Sequence, residues 1–235
     1  DISKKILTSI NINVNKNLEK SSTDNSLAYE YYIRSEYVFK TKIEHKDDDE
    51  IEIKDLLEYK GLLEKAIDLD SNFVLAKINL PEVNGHLYIL EHGEEKFIEN
   101  KKLIFELVNE MKRNIKQAKY LNKKREEGMA INALALIYKN LESIFPEKID
   151  SIIPMYNKAL KLFKDINDKE SESLVLNNIA IMYEEDGKME LSFHYGMESL
   201  KILSKISSLD DYDLDNEILN IYHLESLGGD YDKLI

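Results

Sequence analysis

Cysteine is absent from this 235-residue sequence, and turn-forming residues are scarce, with eight glycines and three prolines. Without cysteine the chain has no disulfide, no thiolate metal site and no thiol nucleophile. The shortage of glycine and proline disfavours an all-β fold built from tight turns. No apolar run approaches the ~20 residues that span a bilayer, so we expect no direct membrane insertion.

The charge is strongly acidic, because 45 Asp and Glu face 32 Lys and Arg for a formal net charge of −13. Such a balance argues against a general nucleic-acid or anionic-membrane binder. Hydrophobic residues make up 43% of the chain, which is enough for a folded core. We therefore expect a folded domain that binds no nucleic acid.

Motifs that carry chemistry are missing from the sequence. It has no phosphate-binding loop, no GxGxxG, no GxSxG elbow and no HExxH. His86 and His92 are six residues apart, on different faces of a helix. We therefore predict no catalytic residue, no cofactor and no metal site, and no enzyme activity in this segment.

Helical periodicity is clearest over residues 174–203. Leu176, Ile179, Ala180 and Tyr183 follow the i, i+3, i+4, i+7 spacing of one helix face. Gly187 then interrupts the pattern, and a second apolar stripe follows. The pattern predicts two antiparallel helices joined by a short turn.

This helix pair repeats along the chain. Residues 129–138 align with 174–183 at an offset of 45, and residues 152–163 supply their second helix. A further copy is centred on residues 62–80, where one helix ends and the next begins. The small and aromatic residues expected at the helix contacts are Ala66, Ala135, Tyr138, Ala159, Ala180 and Tyr183. We also predict helices over 26–43 (with Ser26 as N-cap), from about 51, over 94–122 and over 214–227, and no strand.

The repeat resembles the tetratricopeptide repeat (TPR) family. The segment NNIAIMYEEDGK and the helix junction AIDLDSNF are similar to sequence motifs of that family. The residues that fill its pattern of large and small positions are Leu176, Ile179, Ala180, Tyr183, Ser192, Ser199 and Leu200. The spacing of 45 exceeds the family's usual period of about 34 residues, and Pro81, at a usually small position, is expected to kink or loosen its helix. The resemblance implies an all-α, right-handed superhelical solenoid of about ten helices in antiparallel pairs over residues 26–235.

A narrower resemblance concerns the first third of the chain. The segments AYEYYIRSEYVF and LLEKAIDLDSNFVLAKINL are similar to the C-terminal TPR region of bacterial multidomain adenylate and guanylate cyclases. DISKKIL is similar to the last helix of the TolB-like domain that precedes it there. Residues 1–25 would then be an N-terminal helix and linker, with any cyclase domain upstream. The implied function is protein or peptide binding as a regulatory region of a signalling protein. The compartment would be cytoplasmic, or periplasmic if a transmembrane helix precedes the chain.

In the TPR family the first helix of each pair lines a concave groove, where Asn side chains can hydrogen-bond a bound peptide. Asn79 and Asn178 occupy matching places on such helices, and Asn132 lies one place off. The resemblance makes these three residues candidate ligands for a protein or peptide on the concave face. The alternative is that they are surface asparagines with no such role.

Two further features concern self-association. Residues 101–125 carry nine Lys or Arg and two Glu, whereas residues 208–235 carry eight Asp or Glu and one Lys. The basic segment is either a solvated face or a surface for an acidic partner or for the acidic end of another copy. Ile218, Ile221 and Leu234 would be partly uncovered at an open end of the solenoid, unless the last helix packs inward and the tail frays. The alternative function is therefore a structural repeat domain that forms a homodimer or scaffold.

Overall fold

A computed structural model describes residues 22–44, 46 and 50–206, and all regular structure in this part of the chain is helical, with no strand. The predicted all-α class is confirmed. Within the described residues there are nine α-helices, close to the predicted ten. They are α1 (Ser26–Lys42), α2 (Ile53–Leu69), α3 (Val74–His92), α4 (Glu94–Glu99), α5 (Lys101–Tyr120), α6 (Lys124–Asn140), α7 (Ile149–Ile166), α8 (Lys169–Glu185) and α9 (Met189–Ile206). None of these helices is long and apolar enough to cross a membrane.

Polar side chains fix several helix starts. The Asn25 side chain accepts hydrogen bonds from the backbone N–H groups of Leu27 and Ala28, both at 3.1 Å. The cap of α1 is therefore Asn25, one residue before the predicted Ser26. Asp168 caps α8 by accepting from the backbone N–H of Ser171 at 3.2 Å. Each cap satisfies N–H groups that have no partner within the helix.

Residues with positive φ follow four of the described helices, α3, α5, α7 and α8. Gly187, at φ 70°, lies in the turn between α8 and α9, where the sequence predicted the interruption. Asn167 ends α7 with φ 56° and ψ 35°. Glycine adopts this left-handed conformation without steric cost, and asparagine tolerates it better than most residues do.

The predicted helix over residues 94–122 is wrong in one respect, because the structure divides it at Asn100. There the Asn100 side chain accepts from the backbone N–H of Leu103 at 3.1 Å and caps α5. Two prolines lie inside helices. Helix α7 begins at Ile149, so Pro154 lies beyond its first turn. Helix α3 runs from Val74 to His92 with Pro81 inside it and buried.

The described residues form two compact units that divide between Glu126 and Glu127. In the first unit, α2 packs against α1 and α3, and α3 packs against α4 and α5. Asn25 Nδ2 donates to the Leu69 carbonyl at 2.9 Å, and Lys42 forms an ion pair with Asp55 at 3.2 Å. These contacts join the start of α1 to the end of α2 and the end of α1 to the start of α2. The two helices are therefore antiparallel.

In the second unit, α8 packs against α7 and α9. Ser173, near the start of α8, hydrogen-bonds Ser199, near the end of α9, while Tyr183 stacks on Tyr195 with ring centroids 5.5 Å apart. Helices α8 and α9 are therefore also antiparallel, as the sequence predicted for this pair.

The positions expected to be small are buried. Ala66, Ala135, Ala159 and Ala180 all lie in the core. A methyl group built on Gly196 would be 3.9 Å from the Ala180 Cβ, so α8 and α9 approach closely there. Of the two predicted packing tyrosines, Tyr138 is buried against Phe145, whereas Tyr183 is partly exposed.

Candidate partner-binding face

Two of the three candidate asparagines lie side by side in the second unit. Asn178 Nδ2, on α8, donates to Asn132 Oδ1, on α6, at 2.9 Å. The sequence alignment placed Asn132 one residue out of register with Asn178. In the structure the two side chains nevertheless meet, because they are 46 residues apart and this offset brings them opposite each other.

A second polar pair lies seven residues further along both helices. Lys139 Nζ, on α6, is 2.7 Å from Glu185 Oε1, on α8. These residues are also 46 apart. Two cross-helix contacts with the same offset show that α6 and α8 run parallel and adjacent. A partly exposed pair of this kind contributes only about 0–1 kcal/mol, so it indicates the register of the two helices without determining it.

Apolar side chains lie between and beside these polar pairs. On α6, Leu136 follows Asn132 by four residues and is 37% exposed. On α8, Leu174 precedes Asn178 by four residues and is 54% exposed, and the partly exposed Ile181 follows it by three. Residues three or four apart share a helix face. We call this surface the α6–α8 face; its members are Asn132, Leu136, Lys139, Leu174, Asn178, Ile181 and Glu185.

A buried tyrosine lies near one end of this face. Tyr156, on α7, is fully buried, and its hydroxyl has no hydrogen-bond partner among the described residues. Burial raises the pKa of Tyr156 to about 12, and the negative charge of Glu185 acts in the same direction. Tyr156 is therefore a buried hydroxyl whose pKa is affected by a charged residue of the α6–α8 face.

The third candidate, Asn79, lies in the first unit. Its Nδ2 donates to Glu36 Oε1 at 3.4 Å, which links α3 to α1, and its side chain also hydrogen-bonds Tyr59 on α2. Tyr32, one turn before Glu36 on α1, hydrogen-bonds the same carboxyl group. Asn79 therefore belongs to a four-residue polar network within the first unit.

Burial affects the pKa values of two members of this network, Glu36 and Tyr32. Burial raises the pKa of the Glu36 carboxyl, while the hydrogen bond from Tyr32 and the positive charges of Lys40 and Arg125 oppose that change. Burial also raises the pKa of Tyr32, and the negative charge of Glu36 raises it further. Arg125 influences Tyr29, Tyr32 and Glu36 alike, so it stands close to the network.

Sequence reasoning missed part of both arrangements. It named the asparagines, but it did not identify Leu136, Leu174 and the Lys139–Glu185 pair, or the Glu36 network. The i, i+4 spacing of Tyr32 and Glu36 was a sequence signal that could have indicated the Glu36 network. Asn79 lies in a different unit from Asn132 and Asn178, and Ile218, Ile221 and Leu234 fall outside the described residues.

The chemistry available here is recognition through amides, carboxylates and apolar side chains. In the part of the chain that the structure describes, no group of three His, Asp or Glu side chains is arranged to hold a metal ion. An asparagine amide offers two donors and one carbonyl acceptor. The α6–α8 face thus combines exposed apolar surface with oriented polar groups, which suits a polypeptide ligand.

Comparison with known proteins gives a likeness of fold. No protein-family model and no curated protein sequence matches the chain. Among solved structures, the chain is similar to the crystal structure of BtubC (BKLC) from P. vanneervenii. The match has 15% sequence identity and a TM-score of 0.50, and it covers 89% of this chain and 87% of that chain. At this identity the likeness concerns the all-helical fold alone.

Proposed function

We propose that this chain is a TPR-like module that binds a protein or peptide on the first helices of its repeats. In this proposal the helix pairs stack as a right-handed solenoid, and α1, α3, α6 and α8 are the first helices. Antiparallel pairing of α1 with α2 and of α8 with α9, and parallel contact of α6 with α8, support that arrangement. Buried alanines at the helix contacts support it further, because close helix crossings need small side chains.

The observation that carries the binding proposal is the α6–α8 face. Leu136 and Leu174 expose apolar surface beside the Asn132–Asn178 hydrogen bond. Covering apolar surface yields about 25 cal/mol per Å², which supplies affinity. Asn132 is buried and Asn178 is partly exposed. Their bond uses one donor of Asn178, so the second donor and the carbonyl acceptor of Asn178 can serve the backbone of a ligand. The ligand is therefore a peptide segment with apolar side chains.

The wider role follows from the sequence resemblance. Segments similar to the C-terminal region of bacterial adenylate and guanylate cyclases support a regulatory or sensory part of a larger signalling protein. Binding on the α6–α8 face would then change the state of a catalytic domain upstream, and no reaction would occur in this chain. Testing that role requires an upstream cyclase domain in the gene and a change in its activity when the peptide binds.

Peptide binding is tested by selecting ligands from a random-peptide phage library on the immobilised protein. Calorimetry then compares the selected peptides on three variants. We expect Asn178→Ala to weaken binding by ~0.5–1.5 kcal/mol, the contribution of one hydrogen bond, and Leu174→Ser to weaken it further. The matched control is Asn157→Ala, because Asn157 is exposed on α7, away from the first helices.

Circular dichroism must show unchanged helicity in each variant. Selected peptides that bind the Asn178 and Leu174 variants as well as the parent would place the binding surface elsewhere. A selection that yields no binding peptide at all would contradict the proposal itself.

A further inference from the structure

Helix α5 carries a strongly basic outer surface. Its apolar side packs against α3 and α4 and buries Ile104, Leu107, Val108 and Met111. The other side exposes six cations against one exposed acid, Glu106. The cations are Lys101, Lys102, Lys112, Arg113, Lys116 and Lys119. We call this exposed side the basic face.

Two aromatic rings lie at the ends of the basic face. Phe105 is 48% exposed near the start of α5, and Tyr120 is 88% exposed at its end. They are fifteen residues apart, which corresponds to about 22 Å along a helix. Large apolar side chains gain free energy when a partner covers them. The basic face therefore offers charge along its length and an aromatic group at each end.

We propose that the basic face binds an acidic peptide segment of a partner protein, with carboxylates over the lysines and an apolar side chain on each aromatic ring. This surface lies in the first unit and is separate from the α6–α8 face of the second. The inference therefore does not depend on the proposed function above.

Charge and length favour an acidic peptide over other polyanions. Helix α5 carries six Lys or Arg against two Glu, within a chain whose net charge is −13. Helix α5 has twenty residues and is thus about 30 Å long, the span of nine or ten extended residues. A nucleic-acid duplex or a membrane reaches well beyond this length and would be repelled by the acidic remainder of the chain. A short acidic segment can lie along the cations, with Glu106, which is 3.9 Å from Lys102, as the one exposed acid on this side.

The spacing of the rings adds a requirement for the partner. An extended strand covers about 22 Å in roughly seven residues. The acidic segment should therefore carry two apolar residues about seven positions apart with Asp or Glu between them. Because the contacts are exposed to solvent, their attraction should decrease once the salt concentration shortens the screening length to about 10 Å or less.

The test uses a fluorescein-labelled synthetic peptide of that design, with two Leu about seven positions apart and Glu between them. Fluorescence anisotropy measures its binding to the full chain. We expect Lys116→Gln combined with Lys119→Gln to weaken binding at least about tenfold. We expect Tyr120→Ser, which changes a side chain that is almost fully exposed, to weaken it about threefold or more.

The matched control combines Lys161→Gln with Lys201→Gln, which removes the same charge from exposed positions of α7 and α9. It should leave the affinity within about twofold, because these charges lie outside the basic face. A peptide in which Gln replaces Glu should not bind measurably.

Three outcomes would overturn the proposal. The first is equal binding of the Glu and Gln peptides. The second is an equal loss of affinity in the control variant. The third is displacement of the acidic peptide by a single-stranded oligonucleotide of equal charge at a lower concentration than unlabelled peptide requires, which would make the surface a nucleic-acid site.

Discussion

The hydroxyl groups of Ser173 and Ser199 lie 2.8 Å apart in the buried contact between α8 and α9. Because each hydroxyl has one proton, one of the two donates to the other hydroxyl while the second donates to a backbone carbonyl, from Ser199 to Ser173 at 3.0 Å or from Ser173 to Ser199 at 3.3 Å. Small side chains allow the two helices to approach, and these bonds satisfy the polar groups that this approach buries. The pair thus joins the second turn of α8 to the second half of α9.

Removing one of these hydroxyls should be costly. Ser199→Ala leaves Ser173 with a poorer set of partners in the core, and we expect it to lower the free energy of unfolding by ~1–3 kcal/mol. The double variant Ser173→Ala/Ser199→Ala should cost less than the sum of the single changes, since it leaves no orphaned hydroxyl. Urea denaturation of all three variants measures this, with Ser204→Ala on the exposed side of α9 as the control. Additive effects would mean that the two hydroxyls do not interact.

Enlarging the small residue at the same helix contact should also destabilise the fold. Ala180→Leu places extra methyl groups against Gly196, and we expect a loss of ~1–3 kcal/mol. The opposite result is expected for Gly196→Ala, because the new methyl group would meet Ala180 Cβ at an ordinary 3.9 Å. Replacing a glycine within a helix by alanine gains about 0.5–1 kcal/mol. An unchanged thermal midpoint for Ala180→Leu would show that α8 and α9 are not in this register.

Two glycines of the first and second units should respond in opposite ways to alanine. A methyl group on Gly128 would lie 2.7 Å from the buried ring of Phe163, whereas one on Gly61 meets no atom within 4 Å. We expect Gly128→Ala to destabilise the protein by ~1–3 kcal/mol and Gly61→Ala to stabilise it by about 0.5–1 kcal/mol. Thermal unfolding of both variants distinguishes these signs, and a stabilising Gly128→Ala would contradict the packing of α6 on α7.

The Glu36 carboxyl should make stability depend on pH. Because burial raises its pKa above the usual 4.5 in the folded chain, the folded state keeps a proton that the unfolded state has lost. The stability that this proton adds is fully present below pH 4.5 and is lost as the pH rises through the folded pKa. The free energy of unfolding of Glu36→Gln should therefore increase relative to that of the parent as the pH rises from acidic to neutral. The amide is uncharged at every pH and still accepts hydrogen bonds.

Denaturation of the parent and of Glu36→Gln at a series of pH values measures this difference. Glu142→Gln serves as the control, because Glu142 is exposed and a surface change should alter stability by no more than about 0.5 kcal/mol. A difference between the parent and Glu36→Gln that stays constant from acidic to neutral pH would show that Glu36 titrates alike in both states.

Self-association through the C-terminal segment stays a prediction from the sequence. If Ile218, Ile221 and Leu234 hold a homodimer together, Ile221→Glu should dissociate it by placing a charge in an apolar contact. Light scattering at micromolar concentration reads out the change. A strictly monomeric parent protein would exclude the dimer, and a dimer that tolerates Ile221→Glu would have its interface elsewhere.

Several features of the fold could be predicted from the sequence because they are local. The apolar spacing from Leu176 to Tyr183 is that of a helix, and Gly187 interrupts it where the chain turns. The burial of Ala66, Ala135, Ala159 and Ala180 followed from one alignment of repeats, since small residues recur where helices cross. Errors arose where a single polar side chain decides a boundary. Asn100 divides the helix predicted over 94–122 because its side chain accepts a hydrogen bond from a backbone N–H group. Asn25 rather than Ser26 caps α1.

What the sequence alone determined, then, is the helical class and the turns, because these depend on neighbours within about one turn of helix. The alignment of repeats added the small residues at the helix contacts. The tertiary structure decided which distant polar groups meet. The 45-residue alignment left Asn132 out of register, yet packing of α6 beside α8 brings it to Asn178 and brings Lys139 to Glu185. Burial likewise decided that Glu36 binds its proton more tightly and that the Tyr156 hydroxyl lies in the core. Burial and register both depend on contacts between helices more than twenty residues apart, and no local pattern of residues encodes them.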